Sequence, residues 1–423
     1  MAPLARPLCQ DAPADLSLAL ARLGLPAPAC APLLEALPQA QVLLTGLGPS
    51  DVGFLRRLQD APPGAPGREA HPLFVAGDAA ERPGTGLLTG RREQLRRLLD
   101  AARADAALGG LAAALARVVD PPGLPPPLRL GGRAFAWGAR THVMGVVNVT
   151  PDSFSDGGRF LAAEAAVAHG EALARAGADL LDVGAESTRP GAEPVSADEE
   201  LARLLPVLRG LRERCALPLS VDTLKPAVAA EALREGAHLV NAVGGTGPDG
   251  GAMARVVAAT PGAALCVMHM QGTPRTMQEA PAYGDVVAEV LAALEAAVEG
   301  AVGLGVPRER LLVDPGIGFG KTAEHNLLLL RRAADLRLLG LPVLVGTSRK
   351  RFLGTLVGGK PPAERGPATA GSVAALAALG GADVVRVHDV AECRDALAVA
   401  DAVRQAGVAG AGSLFAPRGG EAP

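Results

Sequence analysis

An α/β fold, dominated by a (β/α)8 TIM barrel with a smaller, mostly helical α/β region before it, is what three features of this 423-residue sequence predict. First, eight short apolar runs alternate with alanine- and leucine-rich helical stretches from Val143 onward. Buried strands alternating with helices call for a parallel sheet. Second, the eight units together approach the ~250 residues of a (β/α)8 barrel. Third, nearly every run ends in a side chain that can hydrogen-bond, and the active sites of such barrels gather where strands end and loops begin. A doubly wound open sheet is the alternative reading.

The elements follow in order. Residues 1–120 are an N-terminal extension with helical patterns such as Gly90 to Ala107, interrupted by a loop at Ala61 to Gly67. Residues 121–127 (PPGLPPP) are a proline-rich linker, because stacked prolines continue neither a helix nor a central strand. Residues 128–410 are the barrel, and 411–423 read as a disordered tail. Leu128–Leu130, a Gly131-Gly132 turn and Ala134–Trp137 predict a hairpin. The eight strands are Met144–Asn148, Leu180–Gly184, Leu219–Asp222, Leu239–Asn241, Leu265–His269, Leu311–Asp314, Val343–Gly346 and Val384–His388. Ser196-Ala197-Asp198-Glu199 is a capping box, and Thr223 is the expected N-cap ahead of Lys225-Pro226.

Apolar residues make up 49 %, ample for a core of this size, and the formal net charge is −3. That balance argues against nucleic acid or an anionic membrane as a partner recruited by bulk charge. No uninterrupted apolar run reaches the ~18 residues of a membrane span, and the first residues lack a basic segment followed by an apolar one. Five cysteines (Cys9, Cys30, Cys215, Cys266, Cys393) are scattered, without metal-ligand spacing. A cytoplasmic, reducing location is expected. Basic residues are almost all arginine: the lysines are Lys225, Lys321, Lys350 and Lys360.

The strand ends carry Asn148, Asp182, Asp222, Asn241, His269, Asp314, Ser348-Arg349-Lys350, Arg386 and His388. Any one of these would pass as a helix cap. All of them together do not, because a purely structural barrel would end its strands in turn residues. Asp182, Asp222, Asn241, Asp314 and Lys350 suit a flat heterocycle with alternating donors and acceptors. A carboxylate pairs with an amino group beside a ring N–H, and such sites reject wrong ligands strongly. Arg189, Arg386, His388 and loop N–H groups suit a phosphate. Asn148 and Asp156 are oxygen ligands suited to Mg2+, which keeps waters and bridges substrate phosphates. The combination implies a heterocyclic substrate with a diphosphate leaving group. Neither Ser348 nor Cys266 has an evident base partner, so a protein nucleophile is not expected.

Seven segments of the chain resemble dihydropteroate synthase. They are Met144 to Gly158 (MGVVNVTPDSFSDGG), Asp182 to Gly191 (DVGAESTRPG), Ser220 to Thr223 (SVDT), Met268 to Pro274 (MHMQGTP), Asp314 to Lys321 (DPGIGFGK), Gly346 to Lys350 (GTSRK) and Arg386 to Asp389 (RVHD). They follow the family's order over residues 128–407. The resemblance implies a (β/α)8 enzyme that joins 6-hydroxymethyl-7,8-dihydropterin diphosphate to p-aminobenzoate, releasing diphosphate and 7,8-dihydropteroate for folate synthesis. It implies that Asp222, Asn241, Asp314 and Lys350 hold the pterin, with Asp182 at the pocket floor and Met268, Phe319 and Gly346 beside it. Asn148 would bind Mg2+. Asn148, Thr188, Arg386 and His388 would hold the diphosphate. Phe154, Thr188, Arg189, Pro190 and Ser348 would form the p-aminobenzoate and sulfonamide region. Loops Thr150 to Gly158 and Glu186 to Gly191 would close over the substrates, and Asp156, rather than Asp152, would serve the chemistry. Asp156, Arg386, His388 and Lys350 are the expected catalytic group. A homodimer built on the last helices is also implied.

The chain departs from the family where Ala242, rather than an acidic residue, follows Asn241. That departure motivates a slow or non-catalytic pterin-binding paralogue as the second reading. A folate-to-corrinoid methyltransferase is the third, although a methyl transfer has no diphosphate for Arg386 and His388 to bind. Lys321 lies outside a Walker spacing and reads as a loop residue near the site. His269 reads as a structural strand-end group. Gly77 to Ala80 and Leu87 to Leu95 resemble an extension of some longer bacterial synthases, whose role the sequence does not give: a helical cap that packs on the barrel is one reading, a partner-binding or regulatory module the other.

Overall fold

Each of the eight apolar runs forms a strand in the computed structural model, which describes residues 4–7, 40–59, 72–77, 84–149, 159–186, 195–242 and 251–406. The chain divides into two compact units, 1–123 and 124–423.

In the first unit, strands β1 (Leu4–Pro7), β2 (Ala40–Thr45), β3 (Leu73–Ala76) and β4 (Gly86–Gly90) form an antiparallel sheet in the order β1-β2-β4-β3. Helices α1 (Pro49–Gln59), α2 (Arg92–Arg103) and α3 (Gly109–Val119) accompany it. Helix α2 buries Leu95, Leu98, Leu99 and Ala102, the spacing of one helical face. They share a core with Leu44, Leu88, Leu111 and Leu115. The sequence pattern gave the helix but not the sheet. Leu87 and Leu88 are buried on both faces of β4, so no alternation marks that strand.

The second unit opens with a hairpin, β5 (Leu128–Leu130) and β6 (Arg133–Phe135). Gly131 and Gly132 have φ of 53° and 81°, as a two-residue turn of this hand requires. Leu128, Leu130, Phe135 and Trp137 pack on Leu180, Leu239, Ala264, Leu344 and Val384, which lie at or near the starts of the barrel strands. The hairpin therefore plugs the barrel at the end opposite the strand termini.

The barrel strands are β7 (His142–Asn148), β8 (Leu180–Gly184), β9 (Leu219–Asp222), β10 (Leu239–Ala242), β11 (Ala264–Met268), β12 (Leu311–Asp314), β13 (Leu344–Val345) and β14 (Val384–Val387). They pair in parallel in the order β12-β11-β10-β9-β8-β7-β14-β13. A parallel bridge between Val313 and Val343 joins the two ends of that row. The sheet is thus a closed barrel, and the open doubly wound alternative is excluded. Helices α4 (Arg159–Arg175), α5 (Ala197–Arg214), α6 (Pro226–Arg234), α7 (Ala252–Ala259), α8 (Val286–Gly303), α9 (Ala323–Arg331), α10 (Arg351–Leu356), α11 (Gly366–Ala378) and α12 (Val390–Gln405) connect or follow them. Ser196 caps α5 by accepting the Glu199 N–H at 3.2 Å, but this is half of the expected capping box: the Glu199 carboxylate accepts from Arg203 instead of turning back to Ser196. Thr223 does not cap α6. Lys225 is the N-cap, and Thr223 Oγ1, two residues earlier, accepts the Lys225 N–H at 3.1 Å. The 411–423 tail lies outside the described residues.

At the plugged end, Asp179 accepts from Arg140 Nη1 and Nη2 (2.9 and 2.6 Å), Val143 N–H (2.8 Å) and Arg394 Nη2 (2.7 Å). Burial opposes its charge, but the two arginines and the N–H outweigh it and hold the carboxyl down at about 2. A depressed folded-state pKa gives stability that is present above the unfolded value and lost as pH falls through the folded one. With an ordinary value of 3.8, the window runs from about pH 4 down to about pH 2, and the loss is roughly 2 kcal/mol. Urea midpoints across that range should fall less in Asp179→Asn than in the parent. Parallel curves would reject the assignment.

Candidate active site

Barrel register puts the predicted polar side chains on one rim. Asp222 pairs with Asn241 and Gly184, Asp182 lies beside Ser220 two residues deeper, Met268 lies beside Asp314, and Arg386 beside Met144. Side chains alternate along a strand, so Asp182, Ser220, Asp222 and Asn241 can share the interior with Arg386.

Their contacts form one network. Asp182 is fully buried, and its Oδ2 accepts from Asn241 Nδ2 at 3.1 Å and Arg386 Nε at 2.5 Å. Asp222 Oδ2 accepts from Arg386 Nη2 at 2.7 Å. The other carboxylate oxygens, Asp182 Oδ1 and Asp222 Oδ1, are buried without a partner, as is Ser220 Oγ. An unpaired buried polar atom is costly, and three of them lie in neighbouring positions of this network. Ser220 was missed as a site residue from sequence. Its one signal was a hydroxyl two residues before Asp222, on the same strand face.

Burial shapes the electrostatics of this network. Burial, reinforced by Asp182, Glu200 and Glu186 and opposed by Arg386, pushes Asp222 up to about 7. Burial also raises Asp314 against the pull of Lys350, Lys321, Arg386 and the Gly316 N–H; that N–H donates to Asp314 Oδ1 at 2.7 Å. Burial lowers Lys350 to about 8, with Asp314 working the other way. Lys350 Nζ donates to the Ile317 carbonyl and stands 4.7 Å from the Phe319 ring centroid. For Arg386, burial works against the charge, but Asp182 and Asp222 prevail and hold it above its ordinary value. Gly346 lies against Arg386 and Lys350, and buried Met268 completes the rim.

At the outer edge, Ser348 Oγ lies 2.9 Å from His388 Nδ1 and accepts the His388 N–H at 3.1 Å. His388 Nε2 faces the amide nitrogen of exposed Asn148 at 3.4 Å. The sequence reading that Ser348 lacks a base partner is therefore corrected. The pair is still not set up as a nucleophile and base, because Ser348 Oγ is held as an acceptor by the His388 backbone N–H while it lies against Nδ1 of the same residue. Ser348 instead fixes the ring. Arg349 between them adopts φ 56°, alone among described non-glycine residues. Its N–H donates to Thr369 Oγ1, its carbonyl accepts from Arg365, and its side chain pairs with Asp389. Such over-determination sustains a strained backbone.

Behind Asp222, Lys225 Nζ bridges Glu186 and fully buried Glu200, each at 2.7 Å. Glu186 Oε1 also accepts the Val195 N–H at 2.9 Å, linking the residues that flank 187–194. Lys225→Met should cost about 3–5 kcal/mol, the range for a buried charge stripped of its partner. Chemical denaturation measures it, and an unchanged midpoint would refute the bridge's role. Phe154, Asp156, Thr188, Arg189 and Pro190 lie outside the described residues, as do most of the two loops that carry them. Lys321 lies in the loop after β12 near the site, as expected, but it is buried, 3 % exposed, with His269 and the Phe319 carbonyl as partners.

Comparison with known proteins adds the family. A family model described as pterin binding enzyme matches residues 144–388. The chain is 45 % identical over 279 residues to dihydropteroate synthase of Synechocystis, covering 66 % of this chain and 96 % of that protein. It is 46 % identical over 267 residues to dihydropteroate synthase of Escherichia coli, covering 63 % and 92 %. Among solved structures, Xanthomonas albilineans dihydropteroate synthase with 4-aminobenzoic acid superposes with a TM-score of 0.61 at 47 % identity, over 66 % of this chain and 98 % of that one. The Burkholderia cenocepacia dihydropteroate synthase complexed with 7,8-dihydropteroate gives 0.59 at 42 % identity, over 67 % and 98 %. With more than half of its length matched by the family model and nearly the whole of these relatives covered, the chain belongs to the pterin binding enzyme family, among the dihydropteroate synthases.

Proposed function

We infer that the chain condenses 6-hydroxymethyl-7,8-dihydropterin diphosphate with p-aminobenzoate, giving 7,8-dihydropteroate and diphosphate in folate biosynthesis. The observation that carries this reading is the buried set Asp182, Ser220, Asp222, Asn241 and Asp314, with half-buried Lys350 beside it and buried polar atoms left without a partner. A dihydropterin supplies adjacent amino and ring N–H donors for Asp222 and Asp182, and acceptors for Asn241 and Lys350. Burial makes each mismatch expensive.

The chemistry is a displacement at the exocyclic methylene. The C–O bond to diphosphate breaks and its electron pair leaves with the oxygen. The electron-rich ring steadies the positive carbon. The arylamine lone pair of p-aminobenzoate forms the C–N bond, and the nitrogen then releases a proton to solvent or diphosphate. Arg386 is suited to both halves. Its guanidinium has five N–H donors, of which those to Asp182 and Asp222 occupy two. The remainder are available to the departing oxygens, and a charge fixed in a buried site stabilises the leaving group without reorganising. His388, oriented by Ser348, offers Nε2 on the same side. Catalysis is then positioning and electrostatics.

Mg2+ fits this site as an ion carried by substrate. Among the described residues no three His, Cys, Asp or Glu side chains form a metal cluster. One exposed amide, Asn148, at the diphosphate edge suits an ion that keeps its waters and bridges phosphates. When bound there, it would neutralise charge on the leaving diphosphate. Asp156 would support it, and Phe154, Thr188, Arg189, Pro190 and Ser348 would hold p-aminobenzoate. We further propose a homodimer through the last helices, where Leu379, Val399 and Val403 are exposed apolar groups, and a cytoplasmic location. No helix among the described residues is long and apolar enough to cross a membrane.

Ala242 supports the second reading, a slow or non-catalytic paralogue. Against it, Asn241 keeps its bond to Asp182 without help from residue 242, which is buried at the strand end. Purified protein with the pterin diphosphate, p-aminobenzoate and Mg2+ decides. Stoichiometric dihydropteroate and diphosphate are expected. Pterin binding with no product would establish the paralogue instead.

A further inference from the structure

Lys321 is the buried cation that the chemistry above leaves unused. Its Nζ lies 2.9 Å from His269 Nδ1, 2.9 Å from the Phe319 carbonyl and 3.5 Å from the His269 carbonyl. All three partners are acceptors when the ring is neutral, matching the three protons of an ammonium. Burial, then the Lys321 charge, depresses His269 to about 3, so the ring is neutral. The two loops that Lys321 joins are interlocked. Gly316, at φ 65°, lies so close to His269 that a Cβ there would fall 1.8 Å from its carbonyl oxygen. His269 N–H donates to the Asp314 carbonyl at 2.9 Å. Further bonds brace the outer side of the same loop, from Gln278 Nε2 to the Gly318 carbonyl and from Tyr283 Oη to the Gly320 carbonyl. Inside, that loop carries the Phe319 ring and the Ile317 carbonyl, both of which touch Lys350.

We propose that Lys321 is a positioning residue for the pterin half of the site. Its ammonium clamps the loop after β12 to the loop after β11 and is a counter-charge for Asp314. The inference rests on the reading that this pocket takes a pterin. The charged groups facing Asp314 are Lys350 from the loop after β13, Arg386 on β14 and Lys321 from its own loop. Burial lowers Lys321 to about 7, with Asp314 working the other way and Lys350 adding to the fall, so the ammonium beside neutral His269 is complete below about pH 7 and fades above it. Loss of Lys321 removes one cation from Asp314, which then takes up a proton at higher pH. It also frees the loop after β12, whose Phe319 ring and Ile317 carbonyl touch Lys350. Among the described residues of the p-aminobenzoate edge, Ser348 bonds His388 and not Lys321.

The test uses the full chain, with 6-hydroxymethylpterin as the probe, titrated by calorimetry from pH 6 to 9. Lys321→Met should weaken pterin binding about tenfold or more and move the acid limb of binding upward. The KM for p-aminobenzoate should stay within about twofold of the parent value. Lys321→Arg, which keeps the charge, should restore the acid limb. Unchanged pterin affinity with an unmoved limb overturns the proposal, and so does a p-aminobenzoate KM that rises in step. Should Lys321→Met fail to fold, 15N-lysine spectra of the parent replace it, since the chain has only Lys225, Lys321, Lys350 and Lys360. The Lys321 resonance, assigned by elimination, should shift when the pterin is added, and a static resonance overturns the clamp. A parent protein that binds no pterin removes the functional reading, and this inference with it. A parent that binds pterin while Lys321→Met does so equally well removes this inference alone.

Discussion

Arg386→Met is expected to lower kcat by about 10^2–10^3, the cost of losing one preorganised charge at a developing anion, and to destabilise the fold by roughly 3–5 kcal/mol. Both effects arise because one side chain serves two purposes. Arg386 bonds Asp182 at 2.5 Å and Asp222 at 2.7 Å, and those carboxylates already raise each other's cost. Methionine fills much of the same volume but leaves two neighbouring buried carboxylates with no cation between them. One then takes up a proton. The stability deficit should accordingly shrink as pH falls, because protonation removes the uncompensated charge. Urea denaturation at pH 6 and pH 8, beside single-turnover kinetics, separates the two effects. Arg386→Lys keeps the charge but not the fork, so most stability should return and only part of the turnover. A methionine variant as stable as the parent at pH 8 would show that Arg386 is not the counter-ion of this pair.

The barrel was legible because its signal is redundant. Eight apolar runs at regular spacing specify the strands even where single boundaries slip, as at His269, Gly346 and His388, which all lie just past their strands. The N-terminal sheet was not legible, since its strands β2 and β4 are buried runs without alternation and pair antiparallel at long range. At the site, the residue types were readable one strand end at a time, because each strand delivers one polar group to the rim. Their partners were not. Nothing in the sequence says that Arg386, 204 residues from Asp182, bonds it, or that His388 meets Ser348 and Asn148. Ser220 and Lys321 escaped for a related reason. A lone hydroxyl in an apolar strand and a lysine after a glycine loop look like ordinary residues until burial is known.

Asp222→Asn separates what the fold needs from what the ligand needs. Asparagine is nearly isosteric, but its amide nitrogen donates where the carboxylate accepts. One orientation meets the ligand's N–H groups with a donor, and the other turns a donor on Arg386. A site built to hydrogen-bond its substrate loses about 10^4 in selectivity when such a pairing fails, so kcat/KM for the pterin diphosphate should fall by about 10^2–10^4. Stability should move the other way. Burial holds the Asp222 carboxyl near 7 in the folded protein against an ordinary 3.8. A raised folded-state pKa gives stability that is fully present below the unfolded value and lost as pH rises through the folded one. The parent should therefore lose stability between about pH 4 and pH 7, and the variant should not share that part of the slope. At pH 8 its denaturation midpoint should match or exceed the parent's. The same carboxyl sets an expectation for binding in the parent. The pterin needs the ionised form, so below about pH 7 Asp222 should contribute a fall in affinity of about tenfold per pH unit, and Asp222→Asn should remove that part of the acid limb while leaving the part that Asp314 carries. A variant that retains both the limb and the catalytic efficiency would move the pterin contact away from Asp222. A variant that loses both efficiency and stability would make Asp222 a structural partner of Arg386 rather than a group held ready for substrate.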